Sequence, residues 1–195
     1  MENCPHRSPS VCWPPMTQML NAEEWMRVLE KLAAALPPQG PPLKLCLIGS
    51  AACLFGGMDG RTSAALDVWR PHSDYDRAEL RAAAEAAGLL FDPKTTLDPE
   101  RPYLQIVEPG LTQLGAFEPC LVDRIGRLEI YRPPVENLLA AKLIRADPKD
   151  ISDIRFLISL YRPDPADVRA LVATFPTGAR ERAEENLVYL DVFAP

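Results

Sequence analysis

The sequence is poor in the residues that build the common metal and disulfide sites. Only two histidines, His6 and His72, occur among 195 residues, too few for a histidine-based metal site. The five cysteines (Cys4, Cys12, Cys46, Cys53 and Cys120) are odd in number, widely spaced and form no CxxC pair, which argues against a zinc site or a disulfide framework. Cys46 and Cys53 lie in apolar runs and read as small buried hydrophobes. No apolar run approaches the ~20 residues that a membrane helix needs. The opening MENCPHRSPSVCWPP lacks the apolar centre of a secretory signal. A cytoplasmic protein with no membrane partner is expected. Lys and Arg number 21 against 27 Asp and Glu, a net charge of -6. That balance disfavours a non-specific grip on nucleic acid but leaves room for a local basic patch.

What is present is enough apolar residue, 47% of the chain, for one sizeable core with a small helical appendage. Residues 1–15 carry four prolines and few core-type residues and read as a disordered lead-in, with Met16 as an alternative start. Asn21 is a good N-cap, and Trp25, Val28, Leu29, Leu32 and Leu36 follow at helical spacing. After the loop PPQGPP, the run 43–48 (LKLCLI) reads as a buried strand and 50–57 as a short helix stopped by glycines. A strand at 66–69, a helix capped by Ser73, and a strand at 103–107 come next. Residues 120–123 and 127–131 read as a hairpin around Ile125-Gly126. Helices are expected at 134–146, 150–161 and 165–174, with a last one after Thr177. This order suits an α+β fold, a mixed sheet with helices packed against it and a helical C-terminal tail.

Four places carry chemistry. Gly49-Ser50 stands where the first strand turns into a helix. Glycine admits close backbone approach, and free N–H groups plus a hydroxyl suit a phosphate; the plainer alternative is a tight turn with a serine cap. The segment Arg61-Thr62-Ser63-Ala64-Ala65-Leu66-Asp67 leads into the second strand. Lys142 falls on the apolar stripe set by Val135, Leu138 and Leu139, so it either snorkels out or meets a buried acid. Asp150 and Asp153, in Lys149-Asp150-Ile151-Ser152-Asp153, read either as a helix cap with an acid in the first turn or as site carboxylates.

Taken in order over roughly 43–160, these segments resemble the nucleotidyltransferase superfamily, in particular the bacterial AbiEii-like branch associated with toxin–antitoxin systems. Those proteins show a Gly-Gly or Gly-Ser turn, a short helix and a strand entered through R-x-[ST]-x-D-h-D. Arg61, Ser63 and Asp67 match that pattern; Ala65 stands where the first aspartate belongs. Alternate strand residues share a face, so a D-h-D pair aims two carboxylates at one metal cluster, and two-metal phosphoryl transfer needs such ligands. A third acid would come from a later strand, where this chain has Gln105.

The resemblance implies a nucleotidyltransferase-type domain over 16–160, with helices 161–195 packed on it. It also implies Mg2+ held by Asp67, a nucleoside triphosphate as substrate, and an RNA, protein or small-molecule acceptor. Gly49, Ser50, Arg61 and Ser63 would hold phosphate, and Asp67, Lys142 and Asp153 would be the catalytic residues. The loss at position 65 points equally to a second expectation: a catalytically impaired nucleotide-binding or protein-interaction module of the same fold.

Overall fold

A computed structural model of the protein describes residues 18–93 and 101–194; the segment expected as a lead-in, 1–15, lies outside the described residues. The first element begins where its cap predicts. The Asn21 side chain accepts the Glu24 amide at 3.0 Å, and the Glu24 carboxylate accepts the Asn21 N–H at 2.8 Å. This reciprocal cap opens α1 (Ala22–Ala35). There follow β1 (Leu43–Ile48), α2 (Gly49–Leu54), β2 (Ala65–Trp69), α3 (Arg77–Ala86), β3 (Leu90–Phe91), β4 (Tyr103–Val107), β5 (Cys120–Ile125) and β6 (Leu128–Arg132). The chain then turns helical: α4 (Val135–Leu143), α5 (Pro148–Tyr161), α6 (Pro165–Ala173), α7 (Thr177–Glu185) and α8 (Val188–Val192).

The fold is mixed α+β, built on a six-stranded sheet of order β3-β4-β2-β1-β6-β5. β2 runs antiparallel to β1 and parallel to β4, while β1 runs parallel to β6. The alternation of side chains along a strand divides the sheet into two faces. Leu43, Leu45 and Leu47 of β1, Leu66 and Val68 of β2, and Leu104 and Ile106 of β4 enter one core with Trp25, Leu29 and Leu32 of α1 and Leu80, Ala83 and Ala84 of α3. The opposite face carries Cys46, Ile48, Trp69 and Val107, which pack with Leu114 from the β4–β5 loop. A second core joins Ala52 and Cys53 of α2 to apolar residues of α4 to α8. α2 therefore feeds both cores. Among the described residues no helix is long and apolar enough to cross a membrane.

Several boundaries differ from expectation, each for a local reason. Asp76, not Ser73, caps α3 by accepting the Glu79 N–H. Ser73 is buried instead, its hydroxyl donating to the Trp69 carbonyl and accepting the Cys46 N–H. The cap of α5 is Asp147, which accepts the Asp150 amide at 2.8 Å, with Pro148 in the first turn; Asp150 itself is the third residue of that turn. Proline suits that position because its missing N–H would have no partner there. The expected last helix is two, α7 and α8, and β3, only two residues long, carried no readable pattern.

The β4–β5 loop crosses the second face of the sheet and is tied to α4. The buried Asn137 amide donates to the Leu114 carbonyl at 2.6 Å and to the Ala116 carbonyl at 3.3 Å. At Gly115 φ is +70°, and an added Cβ would stand 2.5 Å from Leu171 of α6, so only glycine fits the backbone there. Asn137→Ala should cost about 1–3 kcal/mol, the usual penalty for stranding buried polar groups. Faster amide exchange confined to residues 108–117, with the central strands unchanged, is the expected readout.

Candidate functional site

The site forms on the second face, where β1 ends and α2 begins. Gly49 has φ +62°, and an added Cβ would stand 2.7 Å from Asp67 Oδ2. Glycine is thus required twice over, for a left-handed backbone and for room beside the carboxylate. The register places Ile48 opposite Asp67 and Asp67 opposite Gln105. Ala65, two residues earlier on β2, shares Asp67's face and lies opposite Tyr103. The positions where acids would cluster are therefore a methyl group, one carboxylate and an amide.

Asp67 and Gln105 line a cavity of about 520 Å³. Its walls come from the β4–β5 loop (Gly110 to Leu114), from α4 (Leu138, Ala141, Lys142 and, just past its end, Arg145), from Asp150 of α5 and from Arg182 of α7. Among the described residues no hydrogen bond or ion pair reaches the Asp67 side chain. Burial, its largest influence, pushes the Asp67 carboxyl above its ordinary range, while Lys149, Lys142 and Arg145 pull it back by charge.

Behind the cavity lies a chain of ion pairs. Lys142 does not snorkel: its ammonium, 7% exposed, donates to Asp153 at 2.5 Å and to Asp150 at 3.4 Å. Asp153 is fully buried and also accepts from Arg61 at 2.8 Å. The same Arg61 nitrogen donates to the Ser50 hydroxyl at 2.9 Å. At the other end Arg145 binds Asp150 at 2.7 Å and Asp147 at 2.9 Å. Burial, the largest influence, would lower the Lys142 pKa, but Cys53, the Asp153 carboxylate with its hydrogen bond, and Asp150 together hold the ammonium above its usual value. The neighbouring Cys53 thiol is pushed up to about 12, mainly by burial, and stays neutral and unreactive at physiological pH.

The structure thus brings Gly49, Asp67 and Lys142 to one cavity. Ser50, Arg61 and Asp153 join Lys142 through the ion-pair chain, but they are not among the lining residues, and Arg61 bonds both Ser50 and Asp153. Ser50 makes no cap at the start of α2. Ser63 is buried away from the cavity; its hydroxyl donates to the Ala65 carbonyl and accepts the Ala65 N–H, fixing the entry to β2. The sequence reading missed Arg145, Arg182, Thr112 and Gln113. Arg145 could have been found, three residues after Lys142 on the same helical side; nothing in the sequence marks Arg182 or the loop.

Asp67 alone offers a cation an uncommitted carboxylate here, because Asp150 is neutralised by Lys142 and Arg145. Among the described residues no group of three His, Cys, Asp or Glu side chains could hold a metal ion. These residues do not fit a two-metal magnesium centre, which needs several carboxylate oxygens in near-octahedral arrangement. Searches of the chain against protein-family models, curated proteins and solved structures find no match.

Two variants separate structure from function at this site. Lys142→Met leaves Asp153 and Asp150 buried beside one cation fewer and should cost about 3–5 kcal/mol, read by chemical denaturation. Asp67→Asn should do the reverse. A carboxyl with a raised native pKa stabilises most below its unfolded value and loses that contribution as pH rises through the native value. The variant should therefore be more stable than wild type at pH 7, by roughly 2–4 °C in midpoint for each kcal/mol regained, and the advantage should vanish by about pH 4.

Proposed function

We propose that this protein binds a nucleotide in the cavity between β2, α4 and the β4–β5 loop, as a nucleotidyltransferase-like module that has lost two-metal transfer. The observation that carries the reading is Asp67: a half-buried carboxylate with no hydrogen-bond or ion-pair partner among the described residues, facing a cavity whose other walls supply Lys142, Arg145 and Arg182. A charge held this way lowers stability, and sites that accept such a cost are commonly binding sites.

Three further features support the family resemblance. The β4-β2-β1 core has β2 antiparallel to β1 and parallel to β4, the glycine turn abuts Asp67, and Lys142 pairs with Asp153. Ala65, Gln105 and the neutralised Asp150 favour the binding reading over transfer. Of the cavity's residues, Asp67 and Gln105 would meet polar groups of the ligand, Arg182 its anionic part, and Leu111 and Leu138 an apolar part. A role in a toxin–antitoxin-like module would use such binding as a sensor.

Thermal shift with each nucleoside triphosphate and monophosphate, with magnesium and with a chelator, tests the reading; at least one should raise the unfolding midpoint. A flat response across the whole set would remove it. Incubation with labelled triphosphates and total tRNA or protein should transfer no label. Transfer that is lost in Asp67→Ala would replace the binding reading with an active nucleotidyltransferase.

A further inference from the structure

The charges around the cavity divide into those satisfied within the chain and those left over. Arg61, Asp153, Lys142, Asp150, Arg145 and Asp147 bind one another. Asp67 on the floor and Arg182 on the wall line the cavity, and neither side chain has a hydrogen-bond or ion-pair partner among the described residues. Lys149, exposed and likewise unpaired, sits next to the cavity-lining Asp150 at the start of α5 and within electrostatic reach of Asp67. One uncommitted negative charge and one uncommitted positive charge thus line the cavity, and a second positive charge, Lys149, is exposed beside the lining residue Asp150.

We propose that the cavity takes a phosphate monoester that also carries a hydroxyl or amine, bound without a divalent cation. Its phosphate lies between Arg182 and Lys149, and its donor group on Asp67. The argument is one of complementary charge. A phosphate monoester carries about -1.5 to -2 near neutral pH, which two cations match. Asp67 repels a phosphate from the floor and, being an acceptor only, calls for a donor there. Gln105, the register partner of Asp67, can give or accept the second hydrogen bond to a hydroxyl. A cavity of about 520 Å³ lies within the ~300–1,000 Å³ typical of small-molecule sites. A triphosphate brings further anionic groups that magnesium ordinarily offsets, and the second carboxylate that would hold such an ion is the methyl of Ala65. This inference rests on the nucleotide reading above and narrows it to monophosphates.

Isothermal titration of the full chain provides the test. The probes are the four nucleoside 5′-monophosphates, ribose 5-phosphate, inorganic phosphate and ATP, each in chelator and in magnesium. At least one monophosphate should bind equally well in both buffers. Arg182→Ala and Lys149→Ala, both at exposed positions, should each weaken it roughly tenfold, as loss of a charge-assisted hydrogen bond does. Asp67→Asn should weaken the monophosphate by a similar factor and leave inorganic phosphate no weaker; thermal melts of all three variants establish that they fold. Binding of ATP alone, and only with magnesium, would overturn the metal-free monoester and leave the nucleotide reading standing. Ribose 5-phosphate binding while every nucleotide fails would support the monoester and overturn the nucleotide reading. Silence from every probe in chelator, or monophosphate affinity indifferent to Arg182 and Lys149, overturns this inference.

Discussion

The arrangement depends on one fully buried carboxylate. Asp153 accepts from Lys142 of α4 and from Arg61 of the segment before β2, and so joins three stretches of chain that are remote in sequence. Ion pairs this deep gain little net stability over a well-packed apolar substitute, because both partners must leave water. What they impose is position: a lysine and an arginine that meet the same carboxylate cannot shift independently. The arrangement is also incompletely satisfied. Asp153 Oδ1 and Arg61 Nε are buried with no hydrogen-bond partner, a cost that an apolar solution would have avoided. Position, rather than stability, is what the network supplies to the cavity in front of it.

The sheet makes that cavity possible by keeping its two faces different. One face is filled by leucines against α1 and α3, and it fixes the register of β1, β2 and β4. Because register is settled there, the few polar residues on the other face are carried to defined places at no further packing cost. Asp67 and Gln105 come side by side in this way, with Gly49 at the end of the neighbouring strand. The helical C-terminal half then closes the other side, contributing Lys142, Arg145, Asp150 and Arg182 from three helices and their junctions.

Much of this was legible in the sequence, and the limits are physical. α1 follows from clean helical periodicity and from a cap whose partner is three residues away, and β1 and β4 from short apolar runs closed by glycine or proline. The inward direction of Lys142 follows from helical spacing alone, and its acidic partner was one of the two alternatives open to it. Cap identity was less secure, because Ser73 and Asp76, or Asp147 and Asp150, are equally good caps as isolated residues; tertiary bonds to Trp69 and Cys46 decide the first case, and Pro148 the second. Ser50, Arg61 and Ser63 were read as facing a ligand because spacing cannot tell the front of a wall from its back. Arg182 and the β4–β5 loop reach the cavity through the docking of α7 on α4 and α6 and through the tie from Asn137, long-range contacts with no local signature. The departure at Ala65 shows only against the R-x-[ST]-x-D-h-D pattern of the resemblance; the strand period adds no more than that residues 65 and 67 share a face.

The two hydrogen bonds from Asn137 have a mechanical consequence. They hang the roof of the cavity on α4, the same helix whose other face carries Lys142 and is anchored through Asp153. Any molecule that presses Lys142 outward must therefore drag Leu114 and its neighbours with it, whereas one that lifts the roof pulls on the helix. Loop and helix are thus geared to each other by a single amide side chain rather than by a hinge.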